Sequence, residues 1–111
     1  MNSWSPAARA ALVLFALSPA AMAEGNPEEG RWKANTCLGC HGVESYKNVY
    51  PTYHVPKIAG QHAEYIAAAL KAYREGTRQH NTMHANAATL TDQDIADIAA
   101  WLASDAAILP Q

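Results

Sequence analysis

Apolar positions fall into three blocks along the chain, each with a different rhythm. The first is an unbroken apolar run over residues 10–17, preceded by Arg9 and followed by Ser18, Pro19 and the small-residue triplet Ala21-Met22-Ala23. Charge, apolar run and A-x-A site in that order predict a secretory signal peptide over residues 1–23, cleaved after Ala23. The run is well short of the roughly 20 residues a spanning helix needs, so no stable membrane span is expected after processing. The second block places Ile66, Leu70 and Tyr73 at i, i+4 and i+7, which predicts a helix over 63–75, with Gly76 as its C-cap. The third places Ile95, Ile98, Trp101 and Leu102 on one face of a helix opened by Thr91-Asp92-Gln93-Asp94.

Between these blocks the pattern is weaker. Asn26-Pro27-Glu28-Glu29 reads as a helix start, with a cap, a proline at the first helical position and two acids at the positive end of the dipole. The helix is expected to run towards Cys37. Residues 42–60 and 77–89 have no sustained period and are expected to be loops, and no stretch alternates well enough to predict a strand. The expected class is all-α, with residues 24–111 as a single domain of three or more helices and long loops.

Composition sharpens the difficulty this raises. Of 111 residues, fewer than 90 would follow the cleavage site, a size with a thin core. The net charge is −2 and no basic stripe is present, which excludes a nucleic-acid binder. Two cysteines permit one disulfide at most, closing a ring too small to constrain the unfolded chain. Long loops in so small a helical domain make sense if they wrap something large.

The two cysteines stand in "TCLGCHG", as Cys37-x-x-Cys40-His41. A thioredoxin-like redox pair requires a preceding strand in a βαβ setting, which is lacking. A structural zinc site requires four ligands, usually as two pairs, and there is no second pair. Covalent attachment of one c-type haem fits: the spacing lets both thiols reach one edge of a porphyrin, and the adjacent imidazole of His41 binds the iron axially. Burial of the macrocycle, at about 25 cal/mol per Å² of apolar surface, would supply the missing interior. For the sixth ligand, Met83 is the one thioether outside the expected signal, and its polar surroundings (Asn81, Thr82, His84, Asn86) are a poor place for a core methionine. His84, His80, His62 and His54 are its rivals.

Together with "GRWKANTCLGCHG", "VPKIAGQHAEYIAAALKAYREGTR" and "LTDQDIADIAAWLAS", these residues resemble a class I cytochrome c, in particular the small monohaem bacterial periplasmic members and the single halves of dihaem ones. The resemblance spans nearly the whole chain after residue 23. It implies that Pro56 accepts a hydrogen bond from the axial histidine, that Ile58 and Gly60 form an apolar wall with a close-approach glycine, and that Arg78 lies near a haem propionate. It implies too that Gly30 and Trp101 meet where the first and last helices cross. The implied function is electron transfer in the periplasm between redox partner proteins: a dehydrogenase, a cytochrome complex, or a terminal oxidase or reductase. No enzymatic activity is implied. A small peroxidase or gas-binding cytochrome is the alternative, and it would need an open sixth position. Residues 44–55, with Tyr46, Tyr50 and Tyr53, do not align with the family pattern. Lys33 stands where apolar residues are common, leaving Trp32 as the large apolar group before the motif. The mildly acidic net charge favours a partner with a basic patch.

Overall fold

The computed structural model describes residues 24–104. The expected signal peptide and its cleavage site lie outside the described residues. Five helices follow in order: α1 (Pro27–Lys33), α2 (Asn35–His41), α3 (Ala63–Glu75), α4 (Asn81–Ala87) and α5 (Asp92–Leu102). The helical class and the start and end of α3 agree with the sequence reading. Gly76 closes α3 in the left-handed conformation at φ 79°. A capping box opens α5, where the Thr91 side chain accepts from the Asp94 N–H and the Asp94 carboxylate accepts from the Thr91 N–H.

Three expectations need correction. The first helix does not continue to Cys37. It ends at Ala34 (φ −83°, ψ 0°) and restarts as α2, with Asn35 and Thr36, both weak helix formers, at the join. The 42–60 segment contains a short antiparallel pair, β1 (Lys47–Asn48) and β2 (Tyr53–His54), in register Lys47↔His54 and Asn48↔Tyr53. Two residues per strand are too few to show alternation. The 77–89 segment contains the seven-residue α4. Its sequence, NTMHANA, has no apolar period, and the helix is held by tertiary contacts instead.

Buried apolar residues come chiefly from α3 and α5: Ile66, Ala67 and Leu70 meet Ile95, Ile98, Ala99, Trp101 and Leu102, with Ala34 and Ala87 completing the cluster. α1 packs across α5 at Gly30, where any Cβ would overlap the Asp97 carbonyl and press on Trp101 Cβ at 2.9 Å. The crossing expected of Gly30 and Trp101 is thus present. A polar cluster locks it: Asp97, 2% exposed, accepts from Asn26 N–H (2.8 Å), Lys33 Nζ (2.6 Å) and Gln93 Nε2 (2.8 Å), and Lys33 also reaches Asp94 at 2.9 Å. Lys33 therefore belongs to the α1–α5 crossing. Trp32, in contrast to the expectation, is 74% exposed. The break at Ala34 separates both residues from the wall that α2 presents.

Candidate functional site

α2, the 47–61 segment, α3 and α4 line an open-sided cavity of about 500 Å³. This lies within the range of about 300–1,000 Å³ of small-molecule and cofactor sites. Cys37, Cys40 and His41 come to it from α2, and Met83 comes from α4. Between them the lining is largely carbon, with Val55, Pro56, Ile58, Ile66, Ala69 and Leu70 and the rings of Tyr53, Tyr65 and Tyr73. A close-packed interior does not keep an apolar space of this size for itself. The fit to a flat, largely apolar group tethered at one edge is good.

The helical spacing of α2 brings Cys37, Cys40 and His41, at i, i+3 and i+4, to one face. Both cysteines are free thiols. Burial pushes the Cys37 thiol above its ordinary pKa. The His41 Nδ1–H donates to the Pro56 carbonyl at 2.7 Å. A carbonyl only accepts, so this bond fixes the proton on Nδ1 and leaves the Nε2 lone pair free to coordinate. Proline suits that position because its ring fixes φ, and with it the direction of the preceding chain.

Met83 is half-buried and packs against the core cluster. Of the rival histidines, His84 lies outside the cavity lining and donates Nδ1–H to the Tyr73 carbonyl at 2.8 Å. His62 stands just before α3 without a side-chain capping bond, also outside the lining. His80 lines the cavity, but its Nδ1 accepts the Met83 N–H at 3.4 Å. His54 lines the cavity from β2. Among the described residues, no three His, Cys, Asp or Glu side chains converge on one point, so the four-ligand zinc site weighed from the sequence has no counterpart there.

The remaining expected residues divide. Ile58 and Arg78 line the cavity, and Arg78 is held with its guanidinium 4.8 Å from the Tyr73 ring and within 3.4 Å of the Tyr65 hydroxyl. Gly60 is not in the lining. It adopts φ 80° and donates its N–H to the Leu102 carbonyl at 2.8 Å, while a Cβ built on it would meet nothing within 4 Å. Its requirement is a left-handed turn that ties the segment to α5. Sequence reasoning passed over Tyr65 and Ala69. Their signal was present in the α3 pattern, since they lie at i−1 and i+3 of Ile66 and widen its apolar face.

Charge around the cavity differs from the net charge. The lining carries Lys57 and Arg78 and no carboxylate, with Glu44 paired to Lys57 at 3.6 Å, while Glu24, Glu28, Glu29, Asp92 and Asp94 gather at the starts of α1 and α5. Among the described residues, no helix is long and apolar enough to cross a membrane.

Comparison with known proteins agrees with this geometry. The family model described as Cytochrome c matches residues 29–105. The chain is similar to cytochrome c-554(548) of Halomonas halodenitrificans, with 40% identity over 83 residues, 72% of this chain and 96% of that protein. It is similar to cytochrome c4 of Thiocapsa roseopersicina, with 41% identity over 81 residues, 72% of this chain and 40% of that protein. A protein of Thiomonas intermedia named thiosulfate dehydrogenase electron acceptor shares 35% identity over 92 residues, 77% of this chain and 41% of that protein. The chain thus spans nearly the whole of the first relative and about two fifths of the other two. On the motif, the cavity and these matches, the chain belongs to the cytochrome c family of electron carriers, whose haem c is bound covalently through a Cys-x-x-Cys-His motif.

Proposed function

We propose that the chain is a periplasmic shuttle for single electrons, with Cys37 and Cys40 forming the thioethers to haem c and His41 and Met83 holding its iron from either face. The observation that carries this reading is the His41–Pro56 hydrogen bond at 2.7 Å, on a cavity that Met83 also lines. When bound, the haem supplies an iron that passes between ferric and ferrous by gaining and losing one electron.

The chain's own residues set how that happens. His41, held by Pro56, presents Nε2 in one orientation and is made a stronger donor by the bond on its other nitrogen. Met83 offers a thioether, which favours the reduced iron and raises the potential above that of a bis-histidine site. With His41 from α2 and Met83 from α4 both on the iron, no position would be left for substrate, which favours a carrier over a peroxidase or gas sensor. Arg78 would offer its guanidinium to a haem carboxylate, and Ile58 would exclude water beside the ring. Covalent tethering retains the haem in a domain too small to enclose it. The A-x-A triplet before Glu24 supports export, consistent with haem attachment outside the cytoplasm. The relative named as an electron acceptor of thiosulfate dehydrogenase favours a dehydrogenase as donor. Contacts of this kind are small and transient.

Absorption spectra of the matured wild type and Met83→Ala, oxidised and reduced, test the reading. Wild type should be low-spin with the weak long-wavelength sulfur-to-iron band. Met83→Ala should lose the band and fall in potential by on the order of tenths of a volt, a fraction of the range axial ligands span. High-spin ferric iron in the wild type, with fast carbon monoxide binding to the ferrous form, would favour the open-site alternative.

A further inference from the structure

The tyrosine-rich segment over residues 44–55 meets α4 through one residue. Tyr53, returned to the cavity by the 47–54 hairpin, is half-buried in its wall. Its hydroxyl shares a 3.0 Å hydrogen bond with Thr82 Oγ1, on the residue before Met83. Its ring meets the His80 ring edge-on at 4.7 Å. His80 is the N-cap of α4 and accepts the Met83 N–H on Nδ1, while its ring faces Tyr73 of α3 at 6.4 Å. Two links therefore run from one tyrosine to the turn that carries Met83, one through Thr82 and one through His80. Tyr50, by contrast, is 93% exposed at the hairpin turn.

α4 depends on such links. Its seven residues are well below the roughly 12–15 at which an isolated helix becomes even marginally stable. The methionine it carries has three rotatable bonds and no rigidity of its own. A sulfur that must stay in place while the iron changes charge needs its backbone fixed from outside.

We propose that Tyr53 and His80 are positioning residues for Met83, the hairpin acting as a clamp on the first turn of α4 that keeps the sulfur on the iron. This rests on the reading of Met83 as an axial ligand. Loosening either link lets the turn open and lengthens the time the sulfur spends detached, so that a small external ligand enters faster.

Imidazole is the probe, added to the ferric holoprotein while the decay of the sulfur-to-iron band is followed. Tyr53→Phe keeps the ring and removes the hydroxyl. Displacement should accelerate about 2- to 10-fold, the worth of one net hydrogen bond. Thr82→Ala should match it, and the double variant should be no faster than either single one, because all three remove the same bond. His80→Ala should also accelerate displacement, and His80→Asn, which restores a capping acceptor, should return towards the wild-type rate. Tyr50→Phe should behave as wild type. A merely structural role would lower the denaturation midpoint and leave the displacement rate alone. Wild-type rates in both Tyr53→Phe and His80→Ala, with the band present in wild type and lost in Met83→Ala, would overturn the clamp and spare the axial assignment. A wild-type protein without the band would overturn both.

Discussion

The imidazole of His41 could in principle offer either nitrogen to a metal, and the Pro56 carbonyl, 2.7 Å from Nδ1, decides between them. That acceptor survives any substitution of the proline side chain, so Pro56→Ala isolates what the ring contributes. The variant should keep its axial spectrum and lose about 0.4–1 kcal/mol of stability, the usual worth of a compatible proline acting through the unfolded chain, read from denaturant midpoints. Residues of this kind differ in how readily the sequence reveals them. That Cys37, Cys40 and His41 share one cavity is legible because their chemistry demands adjacency, and Met83 stands out as the one thioether among the described residues. Trp32 was misread because its direction depends on a break at Ala34 that no local pattern announces, leaving it 74% exposed beneath the Arg31 guanidinium. Tyr53 was visible as a tyrosine and not as a partner of Thr82, 29 positions away.

At the scale of elements, α3 and α5 are legible because each is long enough for the 3.6-residue period to repeat and each carries one clear end signal, Gly76 after α3 and the capping box before α5. α4 and the hairpin are not, since seven and two residues respectively give a period no room, and their form comes from the surfaces they pack against. The α1–α5 crossing shows which force wins where two conflict. Helix propensity favours Gly30→Ala by up to about 1 kcal/mol. The added Cβ, however, would overlap the Asp97 carbonyl. Overpacking costs of about 1–3 kcal/mol outweigh the propensity gain. Gly30→Ala should therefore be net destabilising in chemical denaturation, and a stabilised variant would mean the crossing is looser than described.

For the whole molecule, the Lys33–Asp94–Asp97 cluster ties α1 to α5 and makes stability depend on pH. The Lys33 ammonium, with bonds from the Thr91 N–H and hydroxyl, holds the Asp94 carboxyl at about 2, against an ordinary 3.8. Lys33 likewise lowers the buried Asp97, aided by the Asn26 N–H. A carboxylate depressed in the folded state binds fewer protons than in the unfolded one, so its contribution is complete above about pH 4 and is lost as pH falls towards 2. Lys33→Met should flatten the acid limb of the stability profile, as measured by denaturant midpoints between pH 2 and 5. The same two carboxylates raise Lys33 above its ordinary value, so the ammonium's share is present below about pH 10.5 and fades only in stronger base.

Charge has a second, kinetic consequence at this scale. Glu28, Glu29, Asp92 and Asp94 sit at the starts of α1 and α5, while Lys57, paired with Glu44 at 3.6 Å, and Arg78 line the cavity, so net charge is a poor guide to what a partner meets. At low ionic strength Lys57→Glu should slow reduction of hexacyanoferrate(III) and should not slow reduction of the cationic tris(phenanthroline)cobalt(III). Equal effects on both reagents would place electron exit away from this edge.

The central claim is that Cys37 and Cys40 hold a haem covalently in the cavity between α2, α3 and α4. The intact mass of the purified, matured protein, taken with its behaviour in acid acetone, tests it most directly. The account predicts polypeptide plus one haem, with the colour remaining on the precipitated protein, and a Cys37→Ala/Cys40→Ala variant that yields polypeptide mass alone. A colourless wild type of polypeptide mass, or colour that passes into the solvent, would contradict it.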